Sequence, residues 1–304
     1  MKIGIMIEGQ EGLTWDRWRR ICHAADTLGF ATLRRSEHFF SVMGVVDRDC
    51  IECWASLALA AEWTKNVEIG PQVSPMTFRP PSLLARQAAA VDVLSGGRLL
   101  LGVGAGWYER EHTEFGIPMP SEKQRFDNLE QGIKVLRETW NKSNPKPARN
   151  PIPLLLGGKG MKRTLPLVAR EATEWNYSTW GDTDAYKQRI EALERSCDAI
   201  GRDPASIRHS VMTGFIIGRD RKELRERALK VAEIVTPPRI RNSDADAILE
   251  QQRGKWFVGT PGEIVEQMKS HEGLGIDLFT LQHFLLDDRD ALELLASEVI
   301  PAVA

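Results

Sequence analysis

Short apolar segments alternate with longer amphipathic segments along the entire chain. The short segments are rich in Ile, Val and Leu, which is typical of strands buried on both faces. The longer segments carry apolar residues at helical spacing, which is typical of helices that cover a sheet. The pattern predicts strands at 2–7, 30–35, 67–70, 99–103, 152–156, 173–177, 207–217 and 277–282. It predicts helices at 14–28, 51–64, 86–94, 123–140, 161–170, 186–200, 221–235 and 290–300, and another that begins at Thr260.

Strands that are nearly all followed by a helix favour one α/β architecture. Eight such units within about 300 residues are what a (β/α)8 barrel requires. The sequence therefore predicts a single (β/α)8 barrel domain with insertions over residues 1–304. The proline-rich segment 143–153 is interpreted as a surface connection, because the alternation continues unchanged beyond it. Segment 236–256 interrupts the alternation and is predicted to be a lid or an insertion.

Composition narrows the classes of function. The chain has 40 basic and 42 acidic residues and a formal net charge of -2, without the basic stripe that nucleic acid or an anionic membrane requires. No apolar run has the length of a bilayer span, and the first residues predict a strand rather than a signal peptide. We therefore expect a cytoplasmic protein with no nucleic-acid or membrane partner.

The four cysteines are too few for a disulfide framework. Cys50 and Cys53 have the spacing of a metal or redox pair, but no second pair follows and no histidine lies at zinc spacing. We interpret both as helix-core residues beside Trp54 and Leu57. The sequence predicts no metal site.

The most concentrated signal lies between Arg86 and Gly116. A predicted helix, a Ser-Gly-Gly turn and a buried strand lead into Gly102, Gly104 and Gly106. Without a Cβ atom, these glycines would let the main chain approach a ring or a phosphate closely. The same run is also typical of strand-end bulges and of close packing between elements, so the motif alone leaves both interpretations open.

The functional side chains of a (β/α)8 barrel lie at the carboxyl ends of its strands. The predicted ends carry Ser36-Glu37-His38, Val73-Ser74, Gly104-Ala105-Gly106-Trp107, Gly157-Gly158-Lys159-Gly160, Asn176 and Gln282-His283. The glycine loop at 157–160 precedes a helix whose first N–H groups attract anions, and Lys159, Lys162 and Arg163 add positive charge. This loop is a candidate phosphate site. The alternative is a plain left-handed turn before a solvated helix.

Taken together, these motifs resemble those of the bacterial luciferase-like family of flavin and deazaflavin enzymes, and especially its F420-dependent oxidoreductase branch. The resemblance covers nearly the full length of the chain. It is carried by SEHF, IGPQVSPMTFRPPSLLARQAAAVDVLSGGR, LGVGAGWYEREHTEFGI, PLLLGGKGMKRTL, GRDP and FVGTPGEIVEQM.

The resemblance implies a cofactor, F420 or alternatively FMN, whose tricyclic ring lies across the barrel mouth. Its phosphate would lie over the loop that contains Gly157, Gly158 and Gly160. The cofactor-binding residues implied in this way are Val73, Ser74, Gly104, Ala105, Gly106, Trp107, Gly157, Gly158, Lys159, Gly160 and Asn176. In related proteins a non-proline cis peptide bond supports the ring, and here it is expected at Gln72-Val73.

His38 is the expected catalytic residue, since it stands where the family carries a histidine near the reactive edge of the ring. An imidazole can relay a proton while hydride moves, and Glu37 is expected to orient it. The alternative is a histidine packed at the start of a loop. His283, at the end of the eighth predicted strand, is a second candidate.

Trp107 departs from the family's glucose-6-phosphate dehydrogenases, which carry a glutamate at this position. This departure argues against sugar-phosphate oxidation. Two interpretations of Trp107 stay open, namely the wall of an apolar substrate pocket and a core residue.

Arg34 and Arg35 are a second departure, because relatives carry an aromatic and a β-branched residue there. Two arginines in a barrel strand need partners, since an unpaired buried charge is costly. We expect one of them to face an interior carboxylate such as Glu8, or to bind an anionic group of the cofactor or substrate.

The leading hypothesis is an F420-dependent oxidoreductase that transfers hydride between the deazaflavin and a small organic substrate. The alternatives are an FMN-dependent monooxygenase of the same fold and a flavin-binding barrel without turnover. A homodimer is also expected, because Trp54 and Trp63 on predicted helices indicate a shared face, although tryptophans can equally fill the core.

Overall fold

A computed structural model describes residues 1–43, 48–178, 181–235 and 244–304 as a parallel β-barrel surrounded by helices. The strands are β1 Lys2–Ile7, β2 Thr32–Arg35, β3 Glu68–Pro71, β4 Ser74–Pro75, β5 Leu101–Gly104, β6 Leu154–Gly157, β7 Glu174–Ser178, β8 Arg208–Ile217, β9 Phe257–Gly259 and β10 Leu278–Gln282. The helices are α1 Trp15–Thr27, α2 Cys53–Trp63, α3 Pro81–Leu94, α4 Glu109–Glu114, α5 Glu122–Lys142, α6 Thr164–Glu171, α7 Thr183–Asp198, α8 Arg221–Val235, α9 Ala245–Gln252, α10 Pro261–Lys269, α11 Arg289–Leu294 and α12 Ile300–Val303.

The order of the strands closes the barrel. The sheet runs β3-β2-β1-β10-β8-β7-β6-β5-β4, and β4 continues the path of β3. Ile69 of β3 bridges Leu99, just before β5, and thereby joins the two ends of the sheet. Since β3 and β4 share one position and β9 lies outside, the barrel has the predicted (β/α)8 architecture, which confirms the predicted fold.

Local sequence signals set the starts of two helices as predicted. The Thr14 hydroxyl accepts a hydrogen bond from the N–H of Arg17 and begins α1. At α10, Thr260 and Glu263 form a capping box, in which the Glu263 carboxylate accepts from the N–H of Thr260 at 2.7 Å. Both caps satisfy N–H groups that a helix end would otherwise leave unpaired.

Segment 143–153 connects the end of α5 to the start of β6. Leu101 of β5 lies in register with Leu154 of β6, so the strands on either side of the segment pair directly. The connection contains two cis peptide bonds, Asn144-Pro145 and Asn150-Pro151. It is therefore a connection within one sheet.

The interior of the barrel is charged at the ends where the strands begin. The Arg34 guanidinium bonds Glu68 and lies 3.5 Å from Glu174, and Arg208 binds the same two carboxylates. Two positive and two negative side chains thus neutralise one another inside the barrel. The predicted pairing with Glu8 is wrong, because Glu8 lies at the opposite rim and accepts hydrogen bonds from Gln10 and Gln282.

Arg35 faces the helices instead of the barrel interior. It bonds the Ser56 hydroxyl and donates to the carbonyl of Ile51 at 3.1 Å, next to the start of α2. Its guanidinium carbon also lies 6.0 Å from the ring centre of Trp18. Main-chain carbonyls, a hydroxyl and a ring therefore surround this buried charge, rather than a carboxylate.

Helix α4 and strand β9 are among the elements that the sequence does not predict. Helix α4 lies within the stretch between Gly106 and Glu122, which the sequence pattern gives as a loop. Strand β9 extends the second half of β8 outside the barrel. The outer edge of β9 is occupied by a side chain, since Gln267 donates to the carbonyl of Val258 at 2.9 Å and accepts from its N–H at 3.1 Å.

The predicted lid or insertion at 236–256 is described only in part, because residues 236–243 lie outside the described ranges. The remainder forms α9 and the start of the connection to β9. Helix α9 packs on α8 around a separate apolar cluster of Ile216, Leu224, Ala228, Val231, Ala232, Ile248, Leu249 and Val258. This part of the segment is a packed addition to the barrel.

The predicted surface tryptophans are placed differently. Trp54 is a core residue with 4% exposure, so that part of the argument for a homodimer is wrong. Trp63 is partly buried, with the Arg19 guanidinium 5.6 Å from its ring centre. The homodimer stays a prediction.

Cys53 lies buried in α2, as predicted, whereas Cys50 precedes the helix and its thiol contacts the His38 carbonyl at 3.0 Å. Within the described ranges, no three His, Cys, Asp or Glu side chains come together as metal ligands. Among the same residues, we find no helix that combines the length and the apolar character of a bilayer span.

Candidate active site

The separate strand ends named by the sequence meet at one rim of the barrel. The rings of His38 and Trp107 lie 5.8 Å apart, and the Val73 side chain lies between the glycines of β5 and β6. The N–H of Gly158 donates to the carbonyl of Asn176 at 3.2 Å. This rim holds the carboxyl ends of the strands, which is where (β/α)8 barrels carry their sites.

His38 is held by a carboxylate from α4. Its Nδ1 lies 3.1 Å and 3.0 Å from the two carboxylate oxygens of Glu111, a side chain with 1% exposure. The same carboxylate accepts from the N–H of Phe39. Burial lowers the pKa of His38, but the hydrogen bond and charge of Glu111, with Glu8 and Glu37, outweigh burial and raise it. Because Glu111 occupies Nδ1, Nε2 is the ring atom that can exchange a proton with a ligand.

Glu37 does not orient His38, which corrects the sequence expectation. Its buried carboxylate forms a two-point ion pair with Arg79, on the segment between β4 and α3. The pair joins the end of β2 to the chain that follows the cis peptide bond. Glu37 thus fixes the rim, while Glu111 takes the orienting position.

The peptide bond between Gln72 and Val73 is cis, as predicted, and both side chains point into the barrel. Val73 reaches the glycines of β5 and β6 and stays partly exposed at the mouth. The amide of Gln72 reaches Asn176 on β7 and Thr280 on β10, each at 3.3 Å. The two residues thus line the centre of the mouth.

The glycines of β5 make room for the protein's own chain. A Cβ atom on Gly104 would lie 2.7 Å from Cγ2 of Val73, and one on Gly102 would overlap the Pro71 carbonyl. At Gly106, where φ is +79°, it would lie 2.5 Å from the Thr77 hydroxyl. The packing interpretation of this run therefore explains all three glycines.

Gly157 is different, because the nearest atom to an added Cβ is Cγ1 of Val73 at 3.8 Å. The main chain of β6 is therefore open toward the mouth at this glycine. A planar ring can approach it closely, whereas the sequence predicts a phosphate at this glycine.

Ser74 does not join the mouth. It lies in register with Val103, which packs in the core between barrel and helices. Met76, two residues further on, contacts Gly132 of α5, so this side of the chain faces outward. We therefore withdraw Ser74 as a cofactor ligand, because its hydroxyl lies on the helix-facing side of the barrel wall.

The predicted phosphate loop follows β6 and leads to α6. Gly158 adopts a φ of +126°, and Lys159 lies with Nζ 4.5 Å from the Tyr177 ring centre. Burial and the nearby Arg189 lower the pKa of Lys159. The expected charge of Arg163 is not available to the loop, because it pairs with Asp127 at 2.6 Å and Glu130 at 3.2 Å on α5.

Trp107 is 62% exposed, so the core interpretation is wrong. Its ring centre lies 5.1 Å from that of Tyr108, and both rings stand steeply to the ring of His38, at 78° and 80°. A second aromatic group lies beside them and consists of Phe39, Phe40, Phe78 and Phe115. The rim near His38 is therefore an apolar wall that a substrate can contact.

His283 is a core residue rather than a second catalytic histidine. It is buried and stacks on Phe215 with ring centres 5.9 Å apart. Burial lowers its pKa to about 4, so the ring is neutral at physiological pH. Its position at the end of β10 was the reason for the prediction, and its burial is the reason it does not hold.

Sequence reasoning missed Glu111, Arg79, Tyr108 and Gln72. Glu111 is one of several acidic residues in EREHTE, and nothing in the pattern distinguishes it before α4 is known. Gln72 was named only as half of the cis bond. The only signal for Glu111 is indirect, since a catalytic histidine commonly has a carboxylate partner that orients its ring.

The residues present fit a tricyclic flavin or deazaflavin ring. The mouth combines the apolar Val73, the open main chain at Gly157 and the exposed ring of Trp107. Gln72 adds a buried amide oxygen without a hydrogen-bond partner in the described part of the chain. Apolar surface with few polar groups is typical of sites for such ligands.

Comparison with known proteins places the chain in a family. The family model for the luciferase-like monooxygenases matches residues 1–278, and the chain belongs to this family. It is 24% identical to the FMNH(2)-dependent dimethylsulfone monooxygenase of Pseudomonas putida, over 98% of this chain and 90% of that protein.

Other relatives use a deazaflavin. The F420-dependent glucose-6-phosphate dehydrogenase of Amycolatopsis mediterranei is 41% identical over 91 residues, or 30% of this chain and 27% of that protein. The structure of an F420-dependent secondary alcohol dehydrogenase with an F420-acetone adduct superposes with a TM-score of 0.82 and 21% identity, over 100% of this chain and 99% of that one. Both FMN-dependent and F420-dependent enzymes are therefore similar to this chain.

Proposed function

We propose that this protein is an F420-dependent oxidoreductase that moves hydride between the deazaflavin and a small organic alcohol or carbonyl compound. The observation that carries the proposal is the His38–Glu111 pair at the barrel mouth, on the same rim as the open main chain at Gly157. The full-length likeness to an F420-dependent secondary alcohol dehydrogenase supports it at the level of the fold. When bound, F420 supplies the hydride-accepting or hydride-donating carbon.

The chain's own residues supply the proton. Hydride transfer to a carbonyl carbon leaves charge on its oxygen, and the reverse reaction requires loss of the hydroxyl proton. Nε2 of His38 would donate or accept this proton, while Glu111 keeps Nδ1 protonated and the ring in place. A raised pKa keeps His38 protonated over a wider pH range, which favours proton donation.

The apolar rim indicates which substrates fit. Trp107 and Tyr108 face His38, and Arg79 is committed to Glu37. In the described ranges no unpaired arginine contacts His38, so we propose neutral substrates and not sugar phosphates.

Cofactor choice is tested by fluorescence titration of the purified protein with F420 and with FMN, in parallel and without oxygen. We expect F420 to bind more tightly, and to be reduced or oxidised in the presence of a neutral alcohol or ketone. His38→Gln should bind F420 with little change in affinity and lose most of the turnover. Binding without turnover across a broad panel would favour a non-catalytic barrel.

A second candidate is an FMN-dependent monooxygenase, favoured by the full-length relative from Pseudomonas putida. This activity would need water to be kept from the ring, and the aromatic rim of Phe39, Phe78 and Phe115 could serve that purpose. Tighter binding of FMN than of F420, with oxygen consumption linked to a reduced flavin, would establish this candidate instead.

A further inference from the structure

A row of hydrogen bonds runs up the inside of the barrel from the buried charges to the mouth. The Ser210 hydroxyl lies 2.6 Å from Oε1 of Glu174, and Nδ2 of Asn176 lies 2.9 Å from the same hydroxyl. Nε2 of Gln72 lies 3.3 Å from Oδ1 of Asn176. The row thus links β7, β8 and the end of β3.

Glu174, at the buried end of the row, determines which group donates and which accepts in every hydrogen bond of the row. Glu174 lies between Arg34 and Arg208, and a carboxylate paired in this way only accepts hydrogen bonds. The Ser210 hydroxyl therefore donates its hydrogen to Glu174 and accepts from Asn176. Asn176 must then present its amide nitrogen to Ser210 and its amide oxygen to Gln72.

The same argument determines the orientation of the Gln72 amide group. Its Nε2 has two hydrogens, and both are used, one on Asn176 and one on the Thr280 hydroxyl at 3.3 Å. The atom left over is the carbonyl oxygen Oε1. It is buried and has no hydrogen-bond partner in the described ranges, although buried carbonyl groups almost always have one.

The exposed fractions of the side chains show which end of the row lies nearer the mouth. Glu174, Ser210 and Thr280 are fully buried, Asn176 is 2% exposed and Gln72 is 7% exposed. Gln72 is thus the last side chain before the mouth. The charge pair at the far end of the barrel orients the amides between them, and the buried Oε1 of Gln72 stands at the end of the row nearer the mouth.

We propose that Oε1 of Gln72 accepts the imide N–H of the tricyclic ring, and so selects rings that carry a hydrogen on this nitrogen. The inference rests on the proposed function only in requiring that a flavin or deazaflavin binds. F420 and FMN share this N–H, so the assignment does not depend on which of them is the cofactor.

The test compares each ring with its derivative methylated at the imide nitrogen, by equilibrium fluorescence titration in the absence of substrate. We expect the wild-type protein to bind the methylated ring at least about tenfold more weakly, as for loss of one hydrogen bond and an added clash. Gln72→Met, which has a similar shape but no acceptor, should discriminate less between the two rings.

The control is Gln87→Met, on α3 and away from the mouth, since its amide oxygen is also buried and has no hydrogen-bond partner among the residues that the structure describes. This variant should discriminate between the two rings like the wild type. Equal affinity of the wild type for both rings, or undiminished discrimination by Gln72→Met, would overturn the inference and leave the proposed function standing. The wild-type comparison alone decides the matter if Gln72→Met does not fold. Failure of the wild type to bind either cofactor would overturn both proposals.

Discussion

Val73 occupies the space that a side chain on Gly104 would need. An added Cβ would lie 2.7 Å from Cγ2 of Val73, closer than such atoms approach one another in folded proteins. The glycine of β5 and the inward-pointing valine after the cis bond therefore depend on each other. Gly157 on β6 touches the same valine but leaves its own Cβ position open.

This contrast predicts different effects for two glycine substitutions. Gly104→Ala should lower the free energy of unfolding by about 1–3 kcal/mol, because Val73 must move within a packed wall. Gly157→Ala should leave stability nearly unchanged and weaken cofactor binding, because its methyl group would stand in the mouth. Urea unfolding and cofactor titration of both variants provide the measurement. A large loss of stability in Gly157→Ala would contradict the structure.

Substitution of Glu111 should move the pH dependence of catalysis. Glu111 raises the pKa of His38 through a hydrogen bond and a charge, so Glu111→Gln should lower it. The pKa in the profile of kcat/KM should shift to lower pH, and Glu111→Asp should restore part of the shift. Glu109→Gln is the control, because Glu109 is an exposed residue on the same helix. An unchanged profile in Glu111→Gln would exclude the positioning role.

The same pair predicts how stability depends on pH. The pKa of His38 is higher in the folded protein than in the unfolded chain, where it is about 6.5. The folded state therefore binds the proton more tightly, and this contribution to stability is fully present below the unfolded pKa. It is lost as the pH rises through the folded pKa. The difference in unfolding free energy between wild type and His38→Gln, measured over roughly pH 5 to 9, should decrease with rising pH.

The charged group inside the barrel should be sensitive to the loss of one member. Glu68→Gln leaves Arg34 and Arg208 with Glu174 alone, and such an imbalance costs about 3–5 kcal/mol. Burial raises the pKa of Glu68, but Arg34 and Arg208 outweigh it and lower the pKa. The stabilisation is therefore present above the unfolded pKa and is lost as the pH falls through the folded value.

Glu130→Gln is the matched control for this experiment, because Glu130 pairs with Arg163 and Arg170 at the surface. Such surface pairs are worth about 0–1 kcal/mol. Chemical denaturation at neutral pH should separate the two variants clearly. Equal losses in both would show that the interior charges are not coupled.

Trp107→Ala should change substrate binding without changing stability. The ring is 62% exposed, and substitutions at such positions stay within about 0.5 kcal/mol. The KM for a neutral apolar substrate should rise, since the ring forms the wall beside His38. Ile200→Ala, at another exposed apolar residue beyond the end of α7, should leave KM unchanged. Steady-state kinetics of both variants provides the measurement. An unchanged KM in Trp107→Ala would show that the ring does not contact the substrate.

The barrel could be predicted from the sequence because each of its units carries its own periodic signal. The placement of His38 and Gly157 at the barrel mouth could be predicted for the same reason, since a strand end can be located from the strand alone. Glu111 could not be found, because its contact with His38 spans 73 positions and depends on a short helix that has no clear period.

Two further misses have physical causes of the same kind. The sequence leaves two interpretations of Gly102, Gly104 and Gly106 open, and only the structure shows that Pro71, Val73 and Thr77 occupy the space. A sequence shows that a side chain is absent but not which neighbour requires its absence. The partners of Arg34 lie on β3 and β7, and only the closed barrel brings those strands together.

The side chain of Gln267 protects the outer edge of β9 from pairing with another molecule. It satisfies both main-chain groups of Val258 on the outer edge of β9, and so occupies the positions that an extended segment of another molecule would use. Open strand edges recruit further strands and lead to aggregates. A single glutamine on α10 thus helps to keep neighbouring copies from adding to this sheet.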